Sequence, residues 1–352
     1  MGMIINKDKQ NDFLLRFIFT PLTKYAKILY YRPIKRFLMA VIRSRTVLII
    51  MSMQFLPFDR DAAAIVAPYF HARGDRFCDR TVGVNYMWRV PFDGSYTITD
   101  GCLILRVSYG EKGIHFTFPV GENPGAALTS LEQYCRENGL PLRFAAVSEQ
   151  EITALRERYS HITVTTNRDF SDYLYYYDDL ATFAGRRYSA QRNHINKFIK
   201  LHPDWAYRPL TREDVPTVQA FLQDYIARKS ANEPLSRSEL TELRGCTDLL
   251  EAMHDFEMHG GMITVGGNVV AFAIGETLGD TLYVHCEKGD VRYAGVYQLM
   301  VREFAAHNAA PHLHYINRED DAGDTGLRQS KLAYRPCALL EKGIAVINEE
   351  KE

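Results

Sequence analysis

Several things are scarce in this 352-residue chain, and each scarcity removes a class of protein. Cysteine is limited to Cys78, Cys102, Cys135, Cys246, Cys286 and Cys337, widely scattered and with no Cys-x-x-Cys pair. That scatter excludes a zinc framework and a secreted disulfide scaffold; it predicts reduced, mostly buried thiols in a cytoplasmic protein. Long apolar runs are missing too. At the basic start of the chain the longest charge-free apolar run, 46–58, falls short of the roughly 18–20 residues of a spanning helix, so no membrane span is predicted. There is no His-Glu-x-x-His signature, and Asp320-Asp321 lacks the alternate spacing of a calcium loop, so no metal ligand is assigned. Net charge is nearly absent at −1, but it is uneven. Residues 1–50 hold ten Lys/Arg against two acids, which leaves −9 for residues 51–352. A polyanion must therefore meet a local basic patch rather than the field of the whole body.

What remains is ample apolar material, 46% of the chain, enough for two ordinary domains. The basic residues 1–52 carry neither the single apolar core nor the cleavage site of a signal peptide. They are expected to be an over-extended start, with Met51 or Met53 as the natural first residue; a basic amphipathic anchor or nucleic-acid tail is the alternative.

Orderly patterning begins at Phe55. Asp59 or Asp61 caps a helix over 62–73, and a second helix follows over 82–89. Three alternating β-segments come next, 96–99, 102–108 and 114–120, with Asp100-Gly101 as a two-residue hairpin turn. A helix over 126–138, a buried strand over 142–147 and a helix over 149–159 complete the half. The order then repeats. Helices are predicted over 212–229 and 237–257, and strands over 262–265, 269–276 and 281–287. A helix over 296–307, a strand over 312–317, a short helix over 327–332 and a last strand around 337–346 follow. The hairpin turns lie 166 residues apart (101 to 267) and the later strands 170 apart (142 to 312), which points to duplication. The expected fold is α/β, a mixed sheet flanked by helices in each of two tandem halves, 53–165 and 166–348.

In open sheets of this kind, ligands bind at the carboxyl ends of central strands. In the second half that place is the turn 287–295, which leads into a helix whose free amides suit a phosphate. Arg292-x-x-Gly295 resembles the pyrophosphate loop of the Gcn5-related N-acetyltransferase superfamily, Gln/Arg-x-x-Gly-x-Gly/Ala, with Tyr297 at the last position. An ordinary capped helix start reads the same way. The matching turn of the first half, 121–124, has no arginine, and no cofactor is assigned to that half. A second feature, 185–200, holds basic residues and no acid. It is either a solvated basic face or a grip for a phosphate-rich ligand through Arg186, Arg187, Arg192 and Lys197. The third, 317–331, places Glu319, Asp320, Asp321 and Asp324 before Arg328 and Lys331, a set able to bind and activate an amine nucleophile or simply to form a polar loop and helix cap. The run Tyr173, Tyr175, Tyr176 and Tyr177 reads as a strand surface rather than a stacking platform for bases.

Three segments together resemble a bacterial family related to the C-terminal domain of phosphatidylglycerol lysyltransferase: 185–197 with its Arg-Asn-His-Ile-Asn-Lys core, Gly295-Val-Tyr-Gln298, and 317–331 running on to Tyr334. The resemblance covers about residues 54–347. It implies two tandem acyl-CoA N-acyltransferase-like domains, as in the Fem peptidoglycan aminoacyltransferases and the lysyl-lipid synthases. Relatives of those kinds take an aminoacyl group from tRNA and place it on an amine or a lipid hydroxyl; the lysyl-lipid synthases also carry a membrane-spanning flippase that this chain lacks.

The function expected is transfer of an activated acyl group at the second half, with aminoacyl-tRNA somewhat favoured over acyl-coenzyme A as co-substrate and no tightly bound cofactor. Arg292 and the amides near Gly295, with Tyr297 and Gln298, are assigned to donor phosphate, and Arg192, Asn193 and Lys197 to steering a polyanionic donor. Glu287, Glu319 or Asp320 orients or deprotonates the acceptor, Lys331 completes the catalytic set, and Tyr334 protonates a leaving group. Asn317, Arg318 and Arg328 are assigned to the substrate. The acceptor is left open among a small molecule, a peptide and a lipid. The rival reading is a non-catalytic ligand-binding module on the same fold, favoured if Glu287, Arg292, Glu319 and Lys331 do not converge.

Overall fold

A computed structural model describes residues 53–71, 74–232 and 234–348; the expectations for the basic stretch 1–52 fall outside the described residues. After β1 (Leu56–Pro57), Asp59 accepts the Ala62 amide at 3.0 Å and starts α1 (Arg60–His71). The Thr81 hydroxyl caps α2 (Val82–Met87). β2 (Ser95–Thr99), β3 (Cys102–Ser108), β4 (Ile114–Phe116) and β5 (Val120–Gly121) follow. Asn123 then caps α3 (Pro124–Glu137), and β6 (Arg143–Val147) leads to α4 (Glu149–Arg158) through a Ser148/Glu151 capping box. A strand absent from the prediction, β7 (Ile162–Thr166), ends the half.

The second half opens with β8 (Asp172–Tyr176), α5 (Tyr177–Thr182), α6 (Ser189–Leu201) and β9 (Trp205–Pro209). It then repeats the earlier order as α7 (Val215–Asn232), α8 (Arg237–Ala252), β10 (His259–Val265), β11 (Asn268–Leu278), β12 (Thr281–Gly289), α9 (Val296–His307), β13 (Tyr315–Asn317), α10 (Thr325–Ala333) and β14 (Ala338–Leu340). β15 (Gly343–Ile347) closes the chain.

Two mixed sheets result. The first runs β1-β2-β3-β4-β6-β15-β7, with β5 on β3; the second runs β14-β8-β13-β12-β11-β10-β9. The last strand expected at 337–346 is therefore two strands, one in each sheet. β15 inserts between β6 and β7 of the first sheet, and β8 inserts between β13 and β14 of the second. The first half thus fills this slot with a strand from the end of the chain, and the second half fills it with the strand that opens it. The second sheet lies wholly beyond 165/166, whereas the first sheet takes β15 from across that boundary.

The apolar faces explain the assembly. Val66, Phe70, Val82 and Tyr86 of α1 and α2 pack in one core with Leu103 and Leu105 of the first sheet, Val218 and Leu249 of α7 and α8, and Phe272 and Tyr283 of the second sheet. Each large apolar side chain buried this way contributes about 1.5–3 kcal/mol. The other face of the second sheet is covered by α5, α6 and α9, and the outer face of the first by α3 and α4. Among the described residues no helix is long and apolar enough to cross a membrane.

Candidate active site between the two sheets

A parallel strand pair splays apart beyond its last shared hydrogen bonds, and the gap opens at the carboxyl ends. Each half contains one such pair: β4 with β6, registered at Phe116↔Phe144, and β12 with β13, registered over Thr281–Tyr283. In the second half, where the chemistry was expected, the gap is plugged. Arg318, just after β13, bonds Glu287 of β12 at 3.1 Å and lies 4.7 Å over the Tyr334 ring, and the space left is about 10 Å³. Glu287, Arg318 and Tyr334 thus form a largely buried ion pair capped by an aromatic ring.

In the first half the gap is open. A cavity of about 260 Å³ lies beyond β4 and β6, lined by Leu105–Val107, Thr117, Ala145 and Ala146, by Val84, Asn85, Trp88 and Arg89 of α2 and its exit, and by Tyr109. The second half closes it with Glu319, Asp320 and Ala322. Ala146, Glu319 and Ala322 are all non-glycine residues at positive φ (51°, 56° and 46°), the backbone strain that tends to collect where a surrounding structure holds a loop for a purpose.

Charge is concentrated at one end. The Lys342 ammonium lies 2.7 Å from both Asp79 and Asp172, 3.5 Å from the Cys78 sulfur and 3.9 Å from Asp320. Asp172 also accepts from the Cys78 amide at 2.7 Å and from the Asn317 amide group at 3.0 Å. Cys78, Asp79 and Asp172 bring ligand atoms within 4.8 Å of one another, but the lysine already supplies the cation there. Burial works against the Asp79 charge, yet Lys342 outweighs it and holds the carboxyl below its ordinary value. Burial works against the Lys342 charge as well, and Asp172 and Asp79 hold the ammonium well above the ordinary lysine value. Asp320 goes the other way: burial raises its carboxyl to about 6, with Lys342 opposing and Asp172 adding. Burial also raises the Tyr109 phenol.

The predicted site residues divide. Glu319 and Asp320 reach the cavity. Asn317 sits beneath it, bonding Asp172 and the Arg76 carbonyl. Lys331 is buried, and its ammonium is taken up by the carbonyls of Arg318 (2.6 Å) and Asp320, so it shapes the loop instead of facing a substrate; burial lowers its proton affinity. Arg328 bridges Asp321 and Asp169, both at 2.6 Å.

Arg292 stands apart, exposed and paired with Asp290 at 2.5 Å. Gly295 (φ 96°) lies so close to α6 that a Cβ there would meet the His194 carbonyl oxygen at 2.4 Å. That close approach covers the start of α9, where a phosphate cradle was expected, and Tyr297 and Gln298 lie half-buried in the turn that follows. Arg192 donates to the carbonyls of Phe183 and Gly185, ending α5, and Arg187 pairs with Asp179. Asn193, Lys197 and Lys200 remain exposed on α6, with Arg186 just before it. Convergence is therefore partial: Glu287 and Lys331 meet at Arg318, Glu319 faces the cavity, and Arg292 joins neither.

Sequence reasoning missed Cys78, Asp79, Tyr109, Asp172, His285 and Lys342. Weak signals existed: a lone lysine between two apolar strands at 342, and polar residues at 285 and 287 on a central strand.

The family model for the C-terminal domain of phosphatidylglycerol lysyltransferase matches residues 73–345. Among solved structures, a conserved protein of unknown function from Bacteroides thetaiotaomicron is 27% identical with a TM-score of 0.79, covering 84% of this chain and 100% of that one. The C-terminal domain of a putative lysylphosphatidylglycerol synthetase from Agrobacterium fabrum is 12% identical with a TM-score of 0.58, covering 83% and 93%. FemX is 9% identical with a TM-score of 0.56, covering 84% and 98%. The latter two likenesses are of fold. The chain spans about half the length, 54%, of a curated relative, an uncharacterised protein of Mycoplasmoides gallisepticum, with 25% identity over 175 residues, 49% of this chain.

Proposed function

The chain belongs to the phosphatidylglycerol lysyltransferase C-terminal family, and from that membership we propose that it moves an activated aminoacyl group onto an acceptor held in the cavity between its sheets. Family and fold are those of aminoacyl and acyl transferases. The observation that carries the finer reading is Asp320, a carboxyl at about 6 on the cavity wall beside Glu319 and Tyr109. A base poised near neutral pH accepts a proton from an incoming amine or hydroxyl as it attacks an ester carbonyl. Glu319 and Asp79 orient an acceptor that arrives as an ammonium. Tyr109 returns a proton to the leaving hydroxyl when the tetrahedral intermediate collapses, so one acyl–oxygen bond breaks as the new acyl bond forms. Lys342 acts indirectly, holding Asp79 and Asp172 charged.

Aminoacyl-tRNA is the donor favoured over acyl-coenzyme A. The covered start of α9 and the plugged gap beside Arg318 leave a coenzyme pyrophosphate and thioester arm no ready seat in the second half. Exposed Arg186, Lys197 and Lys200 offer a basic face to an RNA backbone. The same plugging favours the second reading, a binding module without turnover.

The test is thermal melting of the full chain with bulk aminoacyl-tRNA or acetyl-coenzyme A at matched salt, followed by transfer of labelled aminoacyl groups. A ligand at about a hundred times its dissociation constant adds ~2.7 kcal/mol. Stabilisation by tRNA that fades with salt, and transfer reduced ~10²–10⁴-fold by Asp320→Asn, is the expected result. Stabilisation by the coenzyme alone overturns the donor assignment. Binding without transfer leaves the module.

A further inference from the structure

We infer that His285 is a positioning residue for the cavity, an imidazolium that ties Glu319, on the wall supplied by the second half, through Glu276 of β11 to the start of α2, on the wall supplied by the first. The inference rests on the reading of the cavity as the reacting site. It begins with an irregularity in β12. Ile274 of β11 pairs with Cys286, but the next residue, Gly275, pairs with Val284, so His285 is the extra residue of a bulge. A bulge turns a side chain out of the strand's alternation. Leu282 and Val284 pack in the core beneath α9, whereas Tyr283 and Cys286 pack in the core beneath α7 and α8, so the phase changes at His285.

The ring has no exposed side-chain surface, and each nitrogen meets a carboxylate: Nδ1 lies 2.8 Å from Glu319 Oε1, and Nε2 lies 2.9 Å from Glu276 Oε1. A neutral imidazole has one N–H and would turn a lone pair toward one of those anions; only the charged ring donates to both. Glu276 in turn accepts the Gly83 amide at 2.6 Å, in the first turn of α2. The ring lies so near that helix that a Cβ on Gly83 would stand 2.4 Å from its Cδ2. Glu319, held at φ 56°, also receives the Asn317 side chain as acceptor for its own amide at 2.7 Å. The path from Glu319 through His285 and Glu276 to α2 thus joins the acidic wall of the cavity to the helix bearing Val84 and Asn85 opposite.

Other charged or titratable groups bear on this path. His259 of β10 and Tyr283 of β12 flank Glu276; Cys78, Asp320 and Lys331 of α10 flank Glu319. Burial alone would lower the affinity of His285 for its proton, but Glu276 and then Glu319 outweigh it and raise the ring to about 9.

The experiment is ¹⁵N NMR of the ring nitrogens of His285 in the full chain across pH 6–10, beside the pH profile of transfer, for wild type, Glu276→Gln, Glu319→Gln and His285→Gln. The expected result has both ring nitrogens protonated at pH 7.5 and titrating near 9 in wild type. Each single carboxylate replacement shifts that midpoint downward, and the alkaline limb of the transfer rate shifts with it in Glu276→Gln, a residue that does not line the cavity. A ring that is neutral at pH 7.5, or a midpoint indifferent to Glu276→Gln, overturns the inference even if His285→Gln unfolds. The titration needs no turnover. A wild-type chain that shows the expected ring titration but transfers nothing sinks the proposed function and leaves the His285 tie standing.

Discussion

Lys342 offers the sharpest test of how the two halves are held, because it links the starts of the two inserted strands, β15 and β8. Lys342 immediately precedes β15, and Asp172 is the first residue of β8. The ammonium is 2.7 Å from Asp172, whose side chain is wholly buried, and 2.7 Å from Asp79. Lys342→Met keeps the stem's apolar bulk and removes the charge. Asp172 retains its bonds from the Cys78 amide and Asn317 but loses its counter-ion. Breaking a buried ion pair by removing one partner costs about 3–5 kcal/mol, mainly through the anion left behind. At roughly 2 °C per kcal/mol for a body of this size, the thermal midpoint should fall by ~6–10 °C. Urea unfolding should show the same loss as a lower midpoint at unchanged slope. Adding Asp172→Asn should restore part of it, since the amide oxygen still accepts both bonds and carries no charge. The pH dependence has a definite sign. Asp79 has a lowered folded value, so its contribution is present above the ordinary carboxylate range and is lost as pH falls through the folded value. The gap between wild type and Lys342→Met should therefore narrow on acidification. A loss below about 1 kcal/mol at pH 7, or a further loss on adding Asp172→Asn, would refute the reasoning.

Other outcomes can be checked alongside it. The His285 proton, held to about 9 in the folded chain, contributes stability that is full below the ordinary histidine value near 6.5 and is lost as pH rises through 9; melting midpoints should decline across that window, and less so in His285→Gln. Gly295→Ala adds a Cβ against the His194 carbonyl at positive φ and should cost about 2–3 kcal/mol in urea unfolding. Arg318→Ala strands Glu287 in the plugged gap and should cost about 3–5 kcal/mol, with Glu287→Gln in the same background recovering part. Arg292→Ala removes an exposed guanidinium from buried Asp290, which keeps Arg228 at 3.5 Å as counter-ion, and should change stability by no more than about 1 kcal/mol, with transfer retained; loss of transfer with the fold intact would return the start of α9 to the donor site.

Much of the local structure was legible because local chemistry sets it. Asp59 announced a helix start, Asp100-Gly101 joined two strands, and the repeated order of elements declared the duplication. β9 and β7 escaped notice because both lie at sheet edges with exposed or half-buried residues, so neither has a strong apolar face to show. Glu319 and Asp320 were found through their density of acids in one short loop. Arg292 and Gly295 looked like a phosphate loop since a glycine at positive φ serves a tight helix contact as well as it serves an anion.

The sequence by itself determined most of the elements, their order and the loop that carries the acids, since caps, turns and apolar periodicity act between residues a few positions apart. Only the tertiary structure decided which splayed strand pair stays open, which strand the second half lends to the first, and that Cys78, Asp79, Asp172, His285 and Lys342 meet beside one cavity. Those contacts join residues up to 264 positions apart. Partners so distant have no spacing to recognise; burial and charge select them once the sheets have come together.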